Sequence, residues 1–450
     1  MMGSRQVDQG ALFYEFSLER HVPQDHLLRA IDRFVDLGEV RAYLAPFYSA
    51  TGRPSVDPEL LIRMLLVGYC LGIRSERRLC EEVHLNLAYR WFCRLGLDVE
   101  VPDHSTFSKN RLGRFRDSDL LRKLFEETVW RCIKEGLVGG EGFAVDASII
   151  TADAHRQRGL ASAAELPTET ASRAVREYIE VLDDAAFGAA SDKPPKFVSA
   201  VDPASRWTAA GGGPAAYAYC DNYLIDLDHG VIVDVEPSTA IRQAEVQAAK
   251  TMIERTFDVF DLHPDRLAAD TGYGSAEMLS WLVEQQGIAP HIPVFDKSKR
   301  TDGTFSRDDF TYDRAGDVYF CPEGKMLITT GTVGTSQEVR YRASKYDCQA
   351  CPLKARCCPG DPSRKVARSI HETARDTARA IAKTDAYVVS RRQRKKVEML
   401  FAHLKRILGL GRLRLRGPQG ARDEFLLAAA AQNLRKLAKI ITPVQPMLAT

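Results

Sequence analysis

The chain has 450 residues, a net charge of +2, 45% apolar and 27% charged residues, and ten cysteines. That length buries a real core and implies more than one domain, and the composition is that of an ordinary soluble globular protein. It excludes a disulfide scaffold, and no stretch approaches the roughly 20 apolar residues of a membrane span; the best runs, Leu60–Ile73 and Phe425–Ala431, are too short, and the first contains Arg63.

Residues 1–20 are mixed and polar, without the apolar region of a secretory signal. A soluble, cytoplasmic protein is expected. Residues 11–130 read as helical. Asp57-Pro58-Glu59 supplies an N-cap, a proline at the first helical position and an acid in the first turn. The run Leu60 to Leu71 follows. Ser75 caps a helix over Glu76–His84, Asn86–Leu95 makes another that ends near Gly96, and Pro102-Asp103-His104-Ser105 opens one carrying Lys109, Arg111, Arg114 and Arg116. Short helices with basic faces suit either a helix-turn-helix-like module or a helical dimerisation and support domain.

Around Gly142 the pattern changes. Phe143–Ile150 reads as a strand, apolar except for Asp146 and Ser148. A helix is expected near Ser172–Ala186. Tyr217–Leu227, the turn His229-Gly230 and Val231–Val235 read as a hairpin. Ala240–Phe257 is a helix and Arg266–Asp270 a strand. Thr271-Gly272-Tyr273-Gly274 follows, then a helix from Ser275 and a strand over Ile288–Val294. Strands alternate with helices, so the class is α/β with a mixed sheet. Residues 296–386 interrupt that alternation, and helical patterning returns from Val388.

Charge is concentrated late in the chain. From Arg391 to Arg416 there are ten bases, among them Arg391, Arg394, Lys395, Lys405, Arg412, Arg414 and Arg416, and a single acid, Glu398. Arg394, Glu398 and Lys405 are spaced to share one helical face, beside an apolar stripe of Val397, Leu400, Phe401, Leu404 and Leu408. Such a face offers an acid for a metal and cations for phosphates. Asp146, Asp270 and Glu398 come from separate elements. Three carboxylates of that kind can hold two divalent ions about 3.5–4 Å apart and clamp an in-line phosphoryl displacement. Taken singly, an Asp ending a strand is more often a cap, and a Glu near an Arg more often a helical ion pair. Arg412, Arg414 and Arg416 alternate with Leu413 and Leu415, as a DNA-backbone contact or a solvated edge.

Cys70, Cys80, Cys93, Cys132 and Cys220 are scattered among apolar neighbours and read as buried free thiols. The other five lie within 38 residues as Cys321-x26-Cys348-x2-Cys351-x5-Cys357, with Cys358 adjacent. Ligand type and number suit a closed structural zinc site, with Cys357 or Cys358 as the fourth ligand; free thiols in a loop-rich insert are the alternative. His104, His155 and His371 have no matching ligands, and Gly211-Gly212-Gly213 lacks the following Lys-Ser/Thr of a phosphate cradle.

Several motifs together resemble the DDE transposases of bacterial insertion sequences, over nearly the whole chain. They are Gly52-Arg53-Pro54-Ser55 with Asp57-Pro58, Ser75-Glu76-Arg77, Tyr89-Arg90-Trp91-Phe92, Val145-Asp146-Ala147-Ser148, Asp270-Thr271-Gly272-Tyr273 and Arg394-x3-Glu398-x6-Lys405. The last matches the family's Tyr-x2-Arg-x3-Glu-x6-Lys signature except at its first position, where this chain has Arg391. The resemblance implies an RNase H-like catalytic domain with Asp146, Asp270 and Glu398 as the Mg²⁺-binding catalytic triad, Mn²⁺ being able to substitute. It implies helical DNA-binding or dimerisation residues 1–135, a first part of the core over 136–300, a small zinc-ribbon-like cysteine insertion over 301–386, and a catalytic helix with the end of the core over 387–450. It favours zinc on Cys321, Cys348, Cys351 and Cys357. The implied partners are double-stranded DNA, both terminal inverted repeats and target, and a second copy of the chain. The implied activity is hydrolysis at element ends and transfer of the freed 3′-hydroxyl into target DNA. A non-catalytic domesticated DNA-binding regulator and a simple nuclease of the same fold are the alternatives.

Overall fold

The computed structural model describes residues 16–441 except 50, 53, 156, 158, 162–165, 167–170, 192–194, 210–212, 297–298 and 335–336. Arg53 and Gly211-Gly212, singled out above, lie outside the described residues. The chain forms two compact units, one of residues 1–139, 147–256 and 398–450, the other of 140–146 and 257–397.

The first unit opens with helices α1 (Leu18–His21), α2 (Leu27–Asp32), α3 (Val40–Leu44), α4 (Pro58–Cys70), α5 (Glu76–Leu85), α6 (Leu87–Phe92), α7 (Ser105–Asn110) and α8 (Leu120–Lys134). The caps act as their sequences direct. Asp57 accepts the Glu59 N–H at 3.2 Å with Pro58 at the first helical position, and Asn86 accepts those of Ala88 and Tyr89. The helix expected over Asn86–Leu95 stops at Phe92, because Arg94 turns left-handed at φ +59°. After α7 a wide turn, Arg111–Phe115, bends at Gly113.

Strand β1 (Gly142–Thr151) belongs partly to each unit. The first unit then carries β2 (Gly159–Leu160), α9 (Arg173–Glu180), β3 (Val198–Ser199), β4 (Arg206–Thr208), β5 (Ala216–Asp226) and β6 (Ile232–Thr239). β5 and β6 are the expected hairpin, and β4 also pairs β5. The helix expected to reach Ala186 ends at Glu180. There the chain doubles back so tightly that a Cβ on Gly188 would lie 2.2 Å from the Leu182 carbonyl oxygen.

Helix α10 (Arg242–Phe260) leads to the second unit: β7 (Arg266–Ala268), α11 (Ala276–Ser280) and β8 (Ala289–His291). β7 lies parallel to both β1 and β8. The order through the mixed sheet is β4-β5-β1-β7-β8, with β6 beside β5. The interrupting segment is not loop-rich. It forms an antiparallel sheet of β9 (Thr311–Asp313), β10 (Val318–Phe320), β11 (Met326–Val333), β12 (Glu338–Ala343) and β13 (Lys365–Ser369), with α12 (Lys345–Gln349) and α13 (Lys354–Cys357). Then come α14 (Glu372–Ile381), α15 (Asp385–Arg406) and α16 (Pro418–Ile440).

α16 is the core of the first unit. Residues Ala428–Ala431 are all buried, and the helix packs against α2, α4, α8 and β6. A helix with so wide an apolar surface must be enclosed in this way. Its small side chains admit close neighbours, and its polar residues have fixed uses. The Asn433 amide binds both the N–H and the carbonyl of Ile232, at 3.0 and 2.7 Å, so it caps β6 like a further strand. Among the described residues no helix is long and apolar enough to cross a membrane.

Candidate active site

Two of the three candidate acids occupy equivalent places in the second unit. Parallel β1 and β7 pair Ala144 with Ala268. Asp146, in the middle of β1, and Asp270, just beyond the end of β7, each follow those partners by two residues. Neighbouring strands lie about 4.8 Å apart, which puts the two backbones within reach of one ligand. Asp146 is a fifth exposed, and its Oδ2 accepts a hydrogen bond from Arg394 Nη1 at 2.8 Å. Asp270 is exposed beyond the end of β7, and its Oδ1 accepts the Gly272 N–H at 2.6 Å. That bond caps the turn Thr271–Tyr273 and ends the strand two residues earlier than its sequence suggested. The rest of the motif is packing. Tyr273 is buried, and a Cβ on Gly274 would lie 2.1 Å from the Pro293 carbonyl oxygen.

Glu398 lies on α15 with its side chain exposed. The apolar stripe next to it is as expected: Val397, Phe401, Leu404 and Leu408 are buried. Phe401 stacks on Tyr223 of β5 with ring centroids 4.7 Å apart, and Gln432 of α16 accepts the Tyr223 hydroxyl while donating to the Leu400 carbonyl. These contacts fix the later half of α15. Lys405 lies near the wholly buried Asp221; burial pulls its pKa down, and the neighbouring Asp221 and Cys220 work against that. Arg391 and Lys395 are exposed.

The three late arginines are not a solvated edge alone. Leu413 N–H donates to the Thr151 carbonyl at 2.8 Å, so the segment runs beside the end of β1. Arg412 and Arg416 both hold Asp153, each at 2.8 Å. Arg414 is exposed, while its backbone N–H and that of Leu415 donate to buried Glu424 at 2.6 Å. Glu424 also pairs with Arg74.

The basic face expected after Pro102 turns inward. Arg111 is buried against Glu76 at 2.5 Å, Arg114 bonds Asn110 and covers the Tyr48 ring, and Arg116 holds Glu177 at 2.7 Å. Of that set Lys109 stays exposed. The Tyr89–Phe92 motif is also structural. The buried Arg90 guanidinium donates to the carbonyls of His84, Gly96, Leu97 and Val99.

Sequence reasoning missed the buried ion clusters, whose members are far apart in the chain. In the first unit Asp234 binds Arg122 at 2.6 Å and Arg255 at 2.8 Å. In the second, Asp296 and Glu372 share Arg307, Arg375 and Arg379 at 2.6–3.2 Å, joining α14 to the segment before β9.

Cys321, Cys348, Cys351, Cys357 and Cys358 all line one cavity of about 20 Å³, beside the apolar cluster of Phe310, Tyr319, Leu327, Tyr341 and Val366. Burial and the neighbouring thiols push Cys357 up to about 11. All ten cysteines are free; Cys70, Cys93, Cys132 and Cys220 are buried, as expected, and Cys80 is half-buried. Among the described residues no group of three or more His, Cys, Asp or Glu side chains is arranged to hold a metal ion. The expected metal sets are therefore not preformed. The aspartates are engaged with protein donors, and the thiols interact with one another.

Residues 16–112 match a family described as a transposase domain (DUF772), and residues 320–438 match the Transposase DDE domain. No curated protein matches the chain. Among solved structures, a chain of the "Cryo-EM structure of piggyBac transposase synaptic complex with hairpin DNA (SNHP)" is 10% identical. The match covers 92% of this chain and 77% of that one with a TM-score of 0.31, too low to support any argument. One transposase domain covers the N-terminal helices up to α7, and the other covers the later part of the cysteine-rich segment, α15 and most of α16: the two matches together support an insertion-sequence DDE transposase.

Proposed function

We propose that this transposase cuts DNA at the ends of its element by divalent-metal-dependent hydrolysis and joins the freed 3′-hydroxyl to target DNA. The observation that carries the reading is the equivalent placement of Asp146 and Asp270 on parallel neighbours β1 and β7. Carboxylates that follow paired positions of adjacent parallel strands by the same number of residues lie within reach of one ligand. Asp146 and Asp270 are oxygen donors of the kind Mg²⁺ and Mn²⁺ take, with Glu398 the third carboxylate that the resemblance assigns; a divalent ion held by them would polarise the scissile phosphate. In hydrolysis the water oxygen bonds to phosphorus, the P–O3′ bond breaks, and the 3′-oxygen takes a proton and leaves as a hydroxyl; in joining, that hydroxyl oxygen bonds to a target phosphorus, the target strand's P–O3′ bond breaks, and its 3′-oxygen leaves as a hydroxyl. Asp146 and Asp270 would orient the reacting oxygens. Arg394, paired with Asp146, would hold a phosphate beside them, and Arg391, Lys395, Lys405, Arg412 and Arg414 would bind the backbone farther along. The antiparallel β5–β6 hairpin and the parallel β1, β7 and β8 support an RNase H-like core.

The five cysteine side chains facing one small cavity support one structural Zn²⁺ in the insert, with Cys348 and Cys351 as the close pair of ligands. Metal analysis of the native protein tests this directly; zinc-free, folded protein overturns it.

The function is tested with a labelled element end, taken from inverted repeats flanking the gene, and Mg²⁺. Cleavage followed by joining is expected. Cleavage without joining would indicate a nuclease, and binding without cleavage a DNA-binding regulator. A homodimer is proposed because transposition brings two ends together.

A further inference from the structure

A groove in the first unit of about 670 Å³ lies between the Gly72–Ser75 turn with the start of α5 and the segment Gly409–Arg414. Its floor is built from two glycines. Gly72 has φ +73°, and a Cβ there would lie 2.6 Å from the Ile407 carbonyl oxygen. Gly409, at φ +67°, faces the Gly72 carbonyl and Arg74. A side chain at Gly72 would push the walls apart, and both glycines hold a left-handed backbone that other residues adopt only under strain. One wall is pinned by Glu424, which takes the N–H groups of Arg414 and Leu415 and pairs with Arg74. The groove is therefore a built feature joining the helical N-terminal residues to the segment after α15.

Four arginines line it, Arg74, Arg78, Arg412 and Arg414, with Asp153 as the acid. Glu424 matches Arg74, and Asp153 matches Arg412. The remaining two are exposed. Arg78 meets Glu82 of its own helix at 3.1 Å, a solvated pair worth little. The Arg414 guanidinium has no hydrogen bond or ion pair among the described residues. The N-terminus of the ten-residue α5 adds its positive end at Ser75.

We propose that this groove binds backbone phosphates of DNA, held between Arg78 on one wall and Arg414 on the other, with Arg412 beside them. Guanidinium forks match phosphate oxygens, and Arg412 already holds an oxyanion of that geometry in Asp153. Cations spread along an open groove suit a polyanion rather than a single small anion. Because the contacts are to the backbone, the binding is independent of sequence. The proposal rests on the DNA reading above and adds Arg78 and the start of α5 to the surface that reading uses.

The test uses the full chain, a short random-sequence duplex and a salt series in EDTA, read by fluorescence anisotropy. Relative to wild type, the Arg78→Gln/Arg414→Gln double variant should flatten the slope of log K against log salt by about 1.8, or ~0.9 for each phosphate no longer neutralised. The Arg78→Lys/Arg414→Lys variant should keep the wild-type slope. Both sites are exposed, so the melting temperature should not move. An unchanged slope in the folded Gln variant overturns the groove. If the wild type itself neither binds the duplex nor cuts a labelled end with Mg²⁺, the transposase mechanism fails instead.

Discussion

Arg394 Nη1 lies 2.8 Å from Asp146 Oδ2, each side chain a fifth exposed. The guanidinium thus neutralises one of the two aspartates that follow the paired Ala144 and Ala268. Asp146→Asn keeps an oxygen that can accept from Arg394 while deleting the charge a metal needs. The variant should stay folded, bind DNA as wild type does, and cut a labelled element end at background rate only. A folded Asp146→Asn protein that still cuts would remove Asp146 from the chemistry.

Arg394 itself makes a separate prediction. Lysine restores the charge but not the planar fork. Arg394→Lys should therefore retain part of the cleavage rate and Arg394→Gln less, with both melting close to wild type because the pair is partly solvated. Equal rates for the two variants would show that charge is not what Arg394 supplies.

Glu372 is 1% exposed and meets three guanidinium groups, so it is the hub of the second unit's ion cluster. Glu372→Gln leaves buried cations short of a counter-charge and should cost about 3–5 kcal/mol in urea unfolding. Asp376→Asn, at the exposed edge of the same cluster, should cost no more than about 1 kcal/mol. Similar losses from the two would mean the cluster is solvated rather than buried.

The elements that could be read in the sequence are those with local signals. Asp57-Pro58 starts α4, the His229-Gly230 turn joins β5 to β6, and the apolar stripe of α15 is buried as its spacing requires. Asp146 and Asp270 could be singled out as acids in apolar strands; that they stand level depends on strand register, which neither strand encodes alone. The ion pairs were out of reach for the same reason: Arg74 and Glu424 are 350 residues apart. The arginines after Pro102 have helical spacing but opposite fates to those expected, since their Glu76 and Glu177 partners lie on other helices. Arg90 could not be read either, because its acceptors are backbone carbonyls, which carry no sequence signal.

Arg90→Met tests that last point. The methionine fills the space of the side-chain stem but leaves the four carbonyls of His84, Gly96, Leu97 and Val99 without their donor. Loss of about 3 kcal/mol or more is expected in denaturant unfolding, since each buried acceptor left unpaired costs about 1–3 kcal/mol. A loss below about 1 kcal/mol would mean that water replaces the guanidinium and that the 96–99 loop is not held by it.

Asp202 predicts how stability depends on pH. It is fully buried, and its Oδ1 accepts the Tyr219 hydroxyl at 2.5 Å. Burial raises its pKa to about 7, against lowering by the Tyr219 hydroxyl, the Gly417 amide and the Arg416 charge. In the unfolded chain it titrates near 3.8. Between those values the folded state binds more protons than the unfolded one, so stability falls as pH rises. The contribution is complete below pH ~3.8 and lost as pH passes through about 7, at up to ~1.4 kcal/mol per pH unit. Asp202→Asn has no proton to lose. The difference in unfolding free energy between wild type and Asp202→Asn should move steadily against wild type from pH 4 to pH 7 and level off above it. Asp423, also raised to about 7 by burial, is present in both proteins and cancels in that difference. Parallel stability curves for the two proteins would show that Asp202 is ionised in the folded state throughout, held so by Tyr219, Gly417 and Arg416 against its burial.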